Sequence, residues 1–280
     1  MPRAGIITLS VIIVAVIIVA VVAVAVYIIY KYIPVCHKRN KNGYKPPSTN
    51  EGTSEETPID EKIDWTTANN IAALVVKEIV PGVSVTKCNN MATEYSVMCT
   101  IVIENWTKYI LLDPVSYIKD GHGQISIPPA VVGPGTKEMF ITHYKKWTAT
   151  GTNGTVSWLI SSPDQRSTRA VVMWSCPWNF NHYVNHLAVG LTEKGTTKHK
   201  ENWFDQMYTE ESGSNLHFVR GKYYNDTKTI SHKNDNFEIT GTMGTTHVTE
   251  AHIIVRPLSK NGLAENLKKC VGKKSQDVAD

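Results

Sequence analysis

His182 and His186 stand four residues apart, the spacing by which a helix offers two imidazoles to a zinc ion. The glutamate that would activate a zinc-bound water is missing, and Pro177 close upstream works against a helix there. The run Gly241-Thr242-Met243-Gly244-Thr245-Thr246 lacks the lysine of a phosphate-binding loop and reads as a turn between strands. Cys176 follows an apolar stretch with no evident base partner and reads as a free buried thiol, whereas Cys88 and Cys99 are open to pairing in an oxidising compartment. No Gly-x-Ser-x-Gly occurs. These residues make no catalytic constellation, so no enzyme activity, cofactor or metal is expected.

The informative stretch runs Trp174-Ser175-Cys176-Pro177-Trp178-Asn179-Phe180-Asn181-His182-Tyr183-Val184-Asn185-His186. Aromatic side chains alternate with Asn after a proline, a pattern too polar for a strand interior and too aromatic for an ordinary loop. Three readings fit the composition. The rings could sit at the headgroup level of a bilayer, as amphipathic aromatics do. They could form a cage of π faces for a quaternary ammonium such as choline. They could equally be a twisted turn that covers the edge of a core.

The elements around this loop are short. From residue 94 onward, apolar runs at 96–103, 109–112, 156–160, 170–175, 187–191, 237–242 and 251–255 read as strands. The 109–112 run is expected to end at Asp113-Pro114, and Gly133-Pro134-Gly135 and Asn153-Gly154 punctuate the gaps. Many short strands at this spacing suggest a sandwich. One interruption is helical: in 200–210, Trp203, Phe204, Met207 and Tyr208 recur at helical spacing.

The amino-terminal third is different in kind. Residues 4–30 are 27 positions without a charge, mostly Ile, Val and Ala. A helix needs about 20 apolar residues to cross a bilayer, so 1–33 reads as a transmembrane span or signal anchor, with Tyr27, Tyr30 and Tyr32 at an interface. Cleavage near Ala23-Val24-Ala25 would instead release a secreted protein. Residues 34–60 are a polar, Pro-broken linker. In 64–80 the residues Trp65, Ala68, Ala72, Val75 and Ile79 fall three and four apart behind Asp64 as cap, a helical stripe stopped by Pro81-Gly82. That stripe either packs on its own domain or lies in a membrane. The remainder divides into a domain at 61–260 and a basic tail at 261–280. The formal charge of +4 in 280 residues is too mild to imply nucleic acid, and five cysteines are too few for a disulfide-built fold.

The motif Ser-x-Pro-aromatic-Asn-aromatic-Asn-x-Tyr-x-Asn, at 175–185, resembles the signature loop of the actinoporins, the pore-forming cytolysins of sea anemones and their relatives. The resemblance extends over about 94–258. It takes in Ile103-Glu104-Asn105-Trp106-Thr107-Lys108-Tyr109, the turn at 117–121, Gly154-Thr155-Val156-Ser157-Trp158-Leu159, and Trp203-Phe204-Asp205-Gln206-Met207-Tyr208. It implies a mainly β fold, a β-sandwich flanked by two short helices. By position it implies a phosphocholine site at Val156, Ser175, Pro177, Tyr183, Phe204 and Tyr208, with hydroxyls toward the phosphate and ring faces toward the trimethylammonium. Trp178, Phe180, His182 and His186 would touch the membrane, and Trp65, Ala68, Ala72, Val75 and Ile79 would line the inserted helix. The implied partners are membrane lipids, sphingomyelin above all, and further copies of the chain around a cation-permeable pore. This chain differs from the family in carrying Thr209 and Phe204 in the pocket region, Asp120 in place of a small polar residue, and Arg220-Gly221-Lys222. His182, His186 and Leu187 stand where sea-anemone members expose tryptophans.

Basic residues after residue 30 place the domain in the cytoplasm by the positive-inside rule. The sequons at Asn105, Asn153 and Asn225, and the outer-leaflet lipids of the family, place it outside. The functional alternative is a non-lytic, membrane-tethered, lectin-like module for lipids or glycans, since related sandwiches bind sugars without making pores.

Overall fold

The computed structural model describes residues 61–63, 65, 76–88, 95–121, 126–161, 167–213 and 215–270. Contacts divide the chain into Met1–Glu55 and Glu56–Asp280, and every described residue belongs to the second unit. The apolar segment at 4–30, the linker, and Ala68, Ala72 and Val75 lie outside the described residues. Among the described residues, no helix is long and apolar enough to cross a membrane.

Two six-stranded sheets face each other. The first contains β1 (Val80–Pro81), β2 (Met98–Asn105), β5 (Thr136–His143), β10 (Ile230–Lys233), β11 (Phe237–Met243) and β12 (Val248–Pro257), in the order β1-β5-β2-β12-β11-β10. The second contains β3 (Ile110–Asp120), β4 (Val131–Val132), β6 (Thr152–Ser161), β7 (Thr168–Cys176), β8 (Asn185–Thr192) and β9 (Leu216–Tyr223), in the order β4-β3-β6-β7-β8-β9. Two helices, α1 (Val83–Cys88) and α2 (Trp203–Thr209), and a 3-10 turn at Lys260–Gly262 accompany the sheets. The pairing of β2 with β12 is parallel and joins residues some 150 apart, Met98 with Val248 through Asn105 with Val255.

Period-two alternation builds the inter-sheet core. Cys99, Ile101 and Ile103 of β2 and Ala251, Ile253 and Val255 of β12 meet Val156, Trp158, Val172, Trp174 and Val189 from the facing sheet. Every residue of β7 is buried, because both of its faces are covered. Ala170, Val172, Trp174 and Cys176 point into the sandwich, whereas Val171 and Met173 lie under Trp203, Phe204 and Met207 of α2. That double cover explains why the strand is a continuous apolar run rather than an alternating one.

A second cluster sits apart from the sandwich core. Trp65 and Ile79 pack with Trp106, Leu263, Ala264 and Leu267. Trp65 meets Trp106 edge to face at 5.5 Å and donates its indole N–H to the Pro257 carbonyl at 2.9 Å. Residues 265–270 are helical, so ordered packing continues past residue 260. Residues 76–78 are helical too, but Val80 leaves the helix to pair with Thr136.

Several expectations change. Asp113-Pro114 does not end a strand. β3 runs on to Asp120 through a register shift between Leu112 and Val115, with Asp113 at φ 51° and its carboxylate paired to the buried Arg169. Proline has no N–H to offer a ladder, and a bulge is where a strand tolerates it. The 117–121 segment is strand through Asp120 and bends only at Gly121, with φ 117°. Asn153-Gly154 lies inside β6, and Gly241 to Met243 lie inside β11, so that turn is confined to 244–247. Helix 200–210 contracts to α2. Cys99 is free and buried rather than paired with Cys88. It lies beside Cys176, whose thiol burial pushes well above its ordinary range.

Candidate functional site

One end of the second sheet carries the site. Strand register places the last residue of β7, Cys176, beside the first of β6, Thr152, and the first of β8, Asn185, beside the last of β9, Tyr223. The connections 144–151, 177–184 and 224–229 therefore emerge together, and the 244–247 turn joins them through Asn185, whose amide donates to the Gly244 and Thr246 carbonyls at 2.9 and 3.0 Å. Gly151 is required where the first of these loops enters β6. Its φ is 72°, and a Cβ there would lie 2.2 Å from the Cys176 carbonyl oxygen.

Between these loops and α2 lies a cleft of about 410 Å³. Lys119 and Asp120 at the end of β3, with Asn153 from β6, form one wall. Ser175, Pro177 and Tyr183 form another, and Phe204, Asp205 and Tyr208 of α2 close it. Helical spacing stacks Phe204 on Tyr208, with ring centroids 5.5 Å apart and planes 13° from parallel. Ser175 is nearly buried, whereas the Tyr183 ring stands largely in solvent at 60% exposure. Five of the six residues expected at a headgroup site thus line one cleft. Val156 does not: its neighbours Thr155 and Ser157 bond to His199 on the outer face, while its own side chain is fully buried in the inter-sheet core.

The polar side chains of the cleft walls are arranged in pairs. Lys119 bonds to Asp205 at 3.1 Å, and that hydrogen bond raises the lysine pKa. Asp120 accepts from the Asn153 amide at 3.2 Å and its own N–H donates to the Asn153 side-chain oxygen at 3.0 Å. His186 sits on β8 between Ser175 and Lys222 and packs against Tyr208 at 4.9 Å. Burial, then the nearby Lys222 and Arg220, lowers its pKa to about 4, so it is a neutral ring at pH 7. Its Nδ1 is buried without a hydrogen-bond partner.

The expected membrane-contact residues divide. Trp178 and His182 are exposed. Phe180 is half-buried because it stacks on His247 at 4.0 Å, and the His247 ring nitrogen lies 2.9 Å from the Trp178 carbonyl oxygen. His186 is half-buried against Tyr208 and Leu187 is fully buried in the core, so neither is a surface anchor. An Asx turn holds the loop, with Asn181 N–H donating to the Asn179 side chain at 2.9 Å. Of the residues expected on the inserting helix, Trp65 and Ile79 are buried in the second cluster. Sequence reading missed Lys119, Asn153, Asp205 and the 149–150 segment as cleft walls, because nothing local in them marks a site.

The three sequons also separate. Asn105 is fully buried and its amide donates to the Tyr109 and Val132 carbonyls, and Asn153 is tied to Asp120 in β6. Asn225 is exposed in the connection after β9.

No family model matches the chain. Tereporin-Ca1 of Terebra anilis is 40% identical over 175 residues, which cover 61% of this chain and 90% of that one. Echotoxin-2 of Monoplex parthenopeus is 36% identical over 203 residues, covering 71% of this chain and 72% of its own. Conoporin-Cn1 of Conus consors is 33% identical over 184 residues, covering 65% and 72%. Among solved structures, that of the lipid binding protein Nakanori aligns with a TM-score of 0.46 and 13% identity, over 68% of this chain and 83% of that chain. A likeness that loose carries no argument about this molecule.

Proposed function

Because this chain belongs to the actinoporin-like pore-forming toxin family of the tereporins, echotoxin and conoporin, a family of toxins rather than enzymes, we propose that it binds membrane lipids and permeabilises the bilayer. The observation that carries the reading is the cleft. Ser175, Tyr183, Phe204 and Tyr208 come from two separate stretches of sequence, yet they meet around one volume large enough for a headgroup.

Phosphocholine suits its chemistry. The stacked faces of Phe204 and Tyr208, with Tyr183 opposite, attract a trimethylammonium group, and the Asp120 and Asp205 carboxylates add to that attraction. The hydroxyls of Ser175 and the two tyrosines, together with Lys119, donate to phosphate oxygens. Sphingomyelin is the lipid that the family resemblance favours. After docking, Trp65 and Ile79 leave their seat, the stripe that they form with Ala68, Ala72 and Val75 inserts, and several copies line a cation-permeable pore.

Dye release from vesicles with and without sphingomyelin tests this. Leakage is expected only where choline headgroups are present, and Val75→Asp is expected to abolish it while leaving vesicle binding intact. Binding to choline lipids without leakage, in the unmodified chain, would replace this reading with the second one. In that reading the protein is a non-lytic, lectin-like module tethered by residues 4–30, whose 27 uncharged positions favour a permanent anchor. In either case the domain faces the extracellular side, as the exposed sequon at Asn225 allows. N-glycosidase treatment of cell-expressed protein should shift its mobility, and Asn225→Gln should remove the shift.

A further inference from the structure

Trp147 is 99% exposed, in the Lys145-Lys146-Trp147-Thr148 turn between β5 and β6. Its backbone is left-handed, with φ 69°, a conformation that a bulky residue adopts only at a cost. The turn is well held: the Thr148 N–H donates to the Lys145 carbonyl at 3.2 Å, and the Thr148 hydroxyl donates to the same oxygen at 2.7 Å. Position three of such a turn normally takes glycine. Here it carries the largest apolar side chain and presents it to water.

The placement is not random. Among the described residues the exposed aromatics are Trp147, Trp178 (37%), Tyr183 (60%) and Tyr224 (58%), and the three connections that carry them all leave the same end of the sandwich. The 144–151 connection also adjoins the cleft, contributing Ala149 and Thr150 to its wall. Lys145 and Lys146 beside the ring are exposed cations, complementary to lipid phosphates. Indole rings prefer the bilayer interface, where the apolar face is buried and the N–H stays wet.

We propose that Trp147 is a bilayer anchor, separate from the headgroup cleft, that buries its indole among lipid headgroups when the cleft is occupied. The inference rests on the membrane-binding reading above and adds a second point of attachment to it. Two attachments on one rigid frame fix the tilt of the domain on the membrane as well as its affinity.

The test adds the full chain to phosphatidylcholine–sphingomyelin vesicles whose acyl chains carry bromine, a quencher of indole fluorescence. Subtracting the emission of Trp147→Phe from that of the parent isolates the Trp147 signal, and Trp178→Phe does the same for the neighbouring loop. The Trp147 signal is expected to lose most of its intensity in brominated vesicles and to become inaccessible to iodide in water. If the Trp178 signal is quenched while that of Trp147 stays open to iodide, the anchor is overturned and the membrane reading stands. If neither is quenched, the membrane reading falls and the anchor falls with it. A Trp147 signal protected from iodide by a protein fraction but not by vesicles would also overturn it. As a control on folding, Trp147→Gly is expected to melt no lower than the parent, because glycine relieves the left-handed backbone. A lower Tm would mean that the ring serves the fold, and would count against the anchor.

Discussion

Tryptophan is used in two opposite ways at two places in this molecule. In the seat formed by Trp65 and Trp106, both rings are buried and both indole N–H groups are satisfied, by the Pro257 carbonyl at 2.9 Å and by Glu104 at 2.8 Å. Glu104 is held in turn by His252 at 2.9 Å, and the Arg256 guanidinium lies over the Trp65 ring at 4.7 Å. At the cleft end, Trp147, Trp178 and Tyr183 face solvent. The difference teaches where stability is stored and where it is withheld. Rings in the seat hold a segment of chain to the sandwich, whereas rings at the cleft end contribute little to folding and remain available to a second phase.

The comparison breaks first, and most visibly, at Trp106. Replacing this fully buried ring, Trp106→Ala, should cost about 3–5 kcal/mol of stability through lost packing and a cavity. Urea unfolding measures it, and a loss under about 1 kcal/mol would mean that the seat is not a structural element. Tyr183→Ala with Tyr208→Ala tests the opposite end. It should weaken binding to phosphocholine vesicles by roughly 1–3 kcal/mol while changing the unfolding midpoint far less. Equal affinity in the folded double variant would remove the tyrosines from the headgroup site.

Acid should separate the two regions next. His186, which packs against Tyr208, and His199, which lies against Trp203, both have pKa values lowered to about 4, by burial first and by neighbouring cations second. A folded-state pKa below the ordinary 6.5 means that the unfolded chain takes up protons first, so stability is complete above about pH 6.5 and is lost as pH falls toward 4. Allowing for partial solvent screening, each ring contributes about 1–2 kcal/mol to that loss. In the seat, burial alone would raise Glu104, but hydrogen bonds from His252 and Trp106 outweigh it and its pKa is lowered, so this carboxylate resists protonation better than an ordinary one as the pH falls. Hydrogen exchange at falling pH should therefore open the α2 and cleft side first, and His186→Gln should flatten the dependence. Opening of the Trp65 seat at the higher pH would contradict the assignment. The smallest effect belongs to Trp178→Ala, which should change stability by less than about 1 kcal/mol, since the ring is partly exposed and touches chiefly Tyr144 at 5.0 Å.

Much of the second sheet's centre was legible in the sequence. The apolar runs at 156–160, 170–175 and 187–191 fall inside β6, β7 and β8, and the helical spacing of Trp203, Phe204 and Met207 marks α2. Strands at the margins were not legible. β5 opens with the half-exposed Thr136, Lys137, Glu138 and Met139, and β9 and β10 lie at sheet edges where only some side chains turn inward. A strand that buries one partial face has too few apolar positions to register as periodic.

The residues themselves determined that the chain is mainly β, that an uncharged membrane-length stretch precedes it, and that the aromatic–Asn loop after Pro177 is its unusual feature. These are properties of local composition and of spacings shorter than a turn or a strand, and they survive in a bare sequence. Tertiary structure alone decided which aromatics are available. Phe180 is withdrawn by His247, which lies 67 positions away, and Val156 is turned inward by the pleat of β6, whereas Trp147 is presented outward by the hydrogen bonds of one turn. It also decided that Asp120, Ser175 and Tyr208 share a cleft, since that follows from β3, β7 and α2 meeting at one end of a sheet. Pairing between distant strands is set by the summed packing of two faces, and no short stretch of sequence contains that sum.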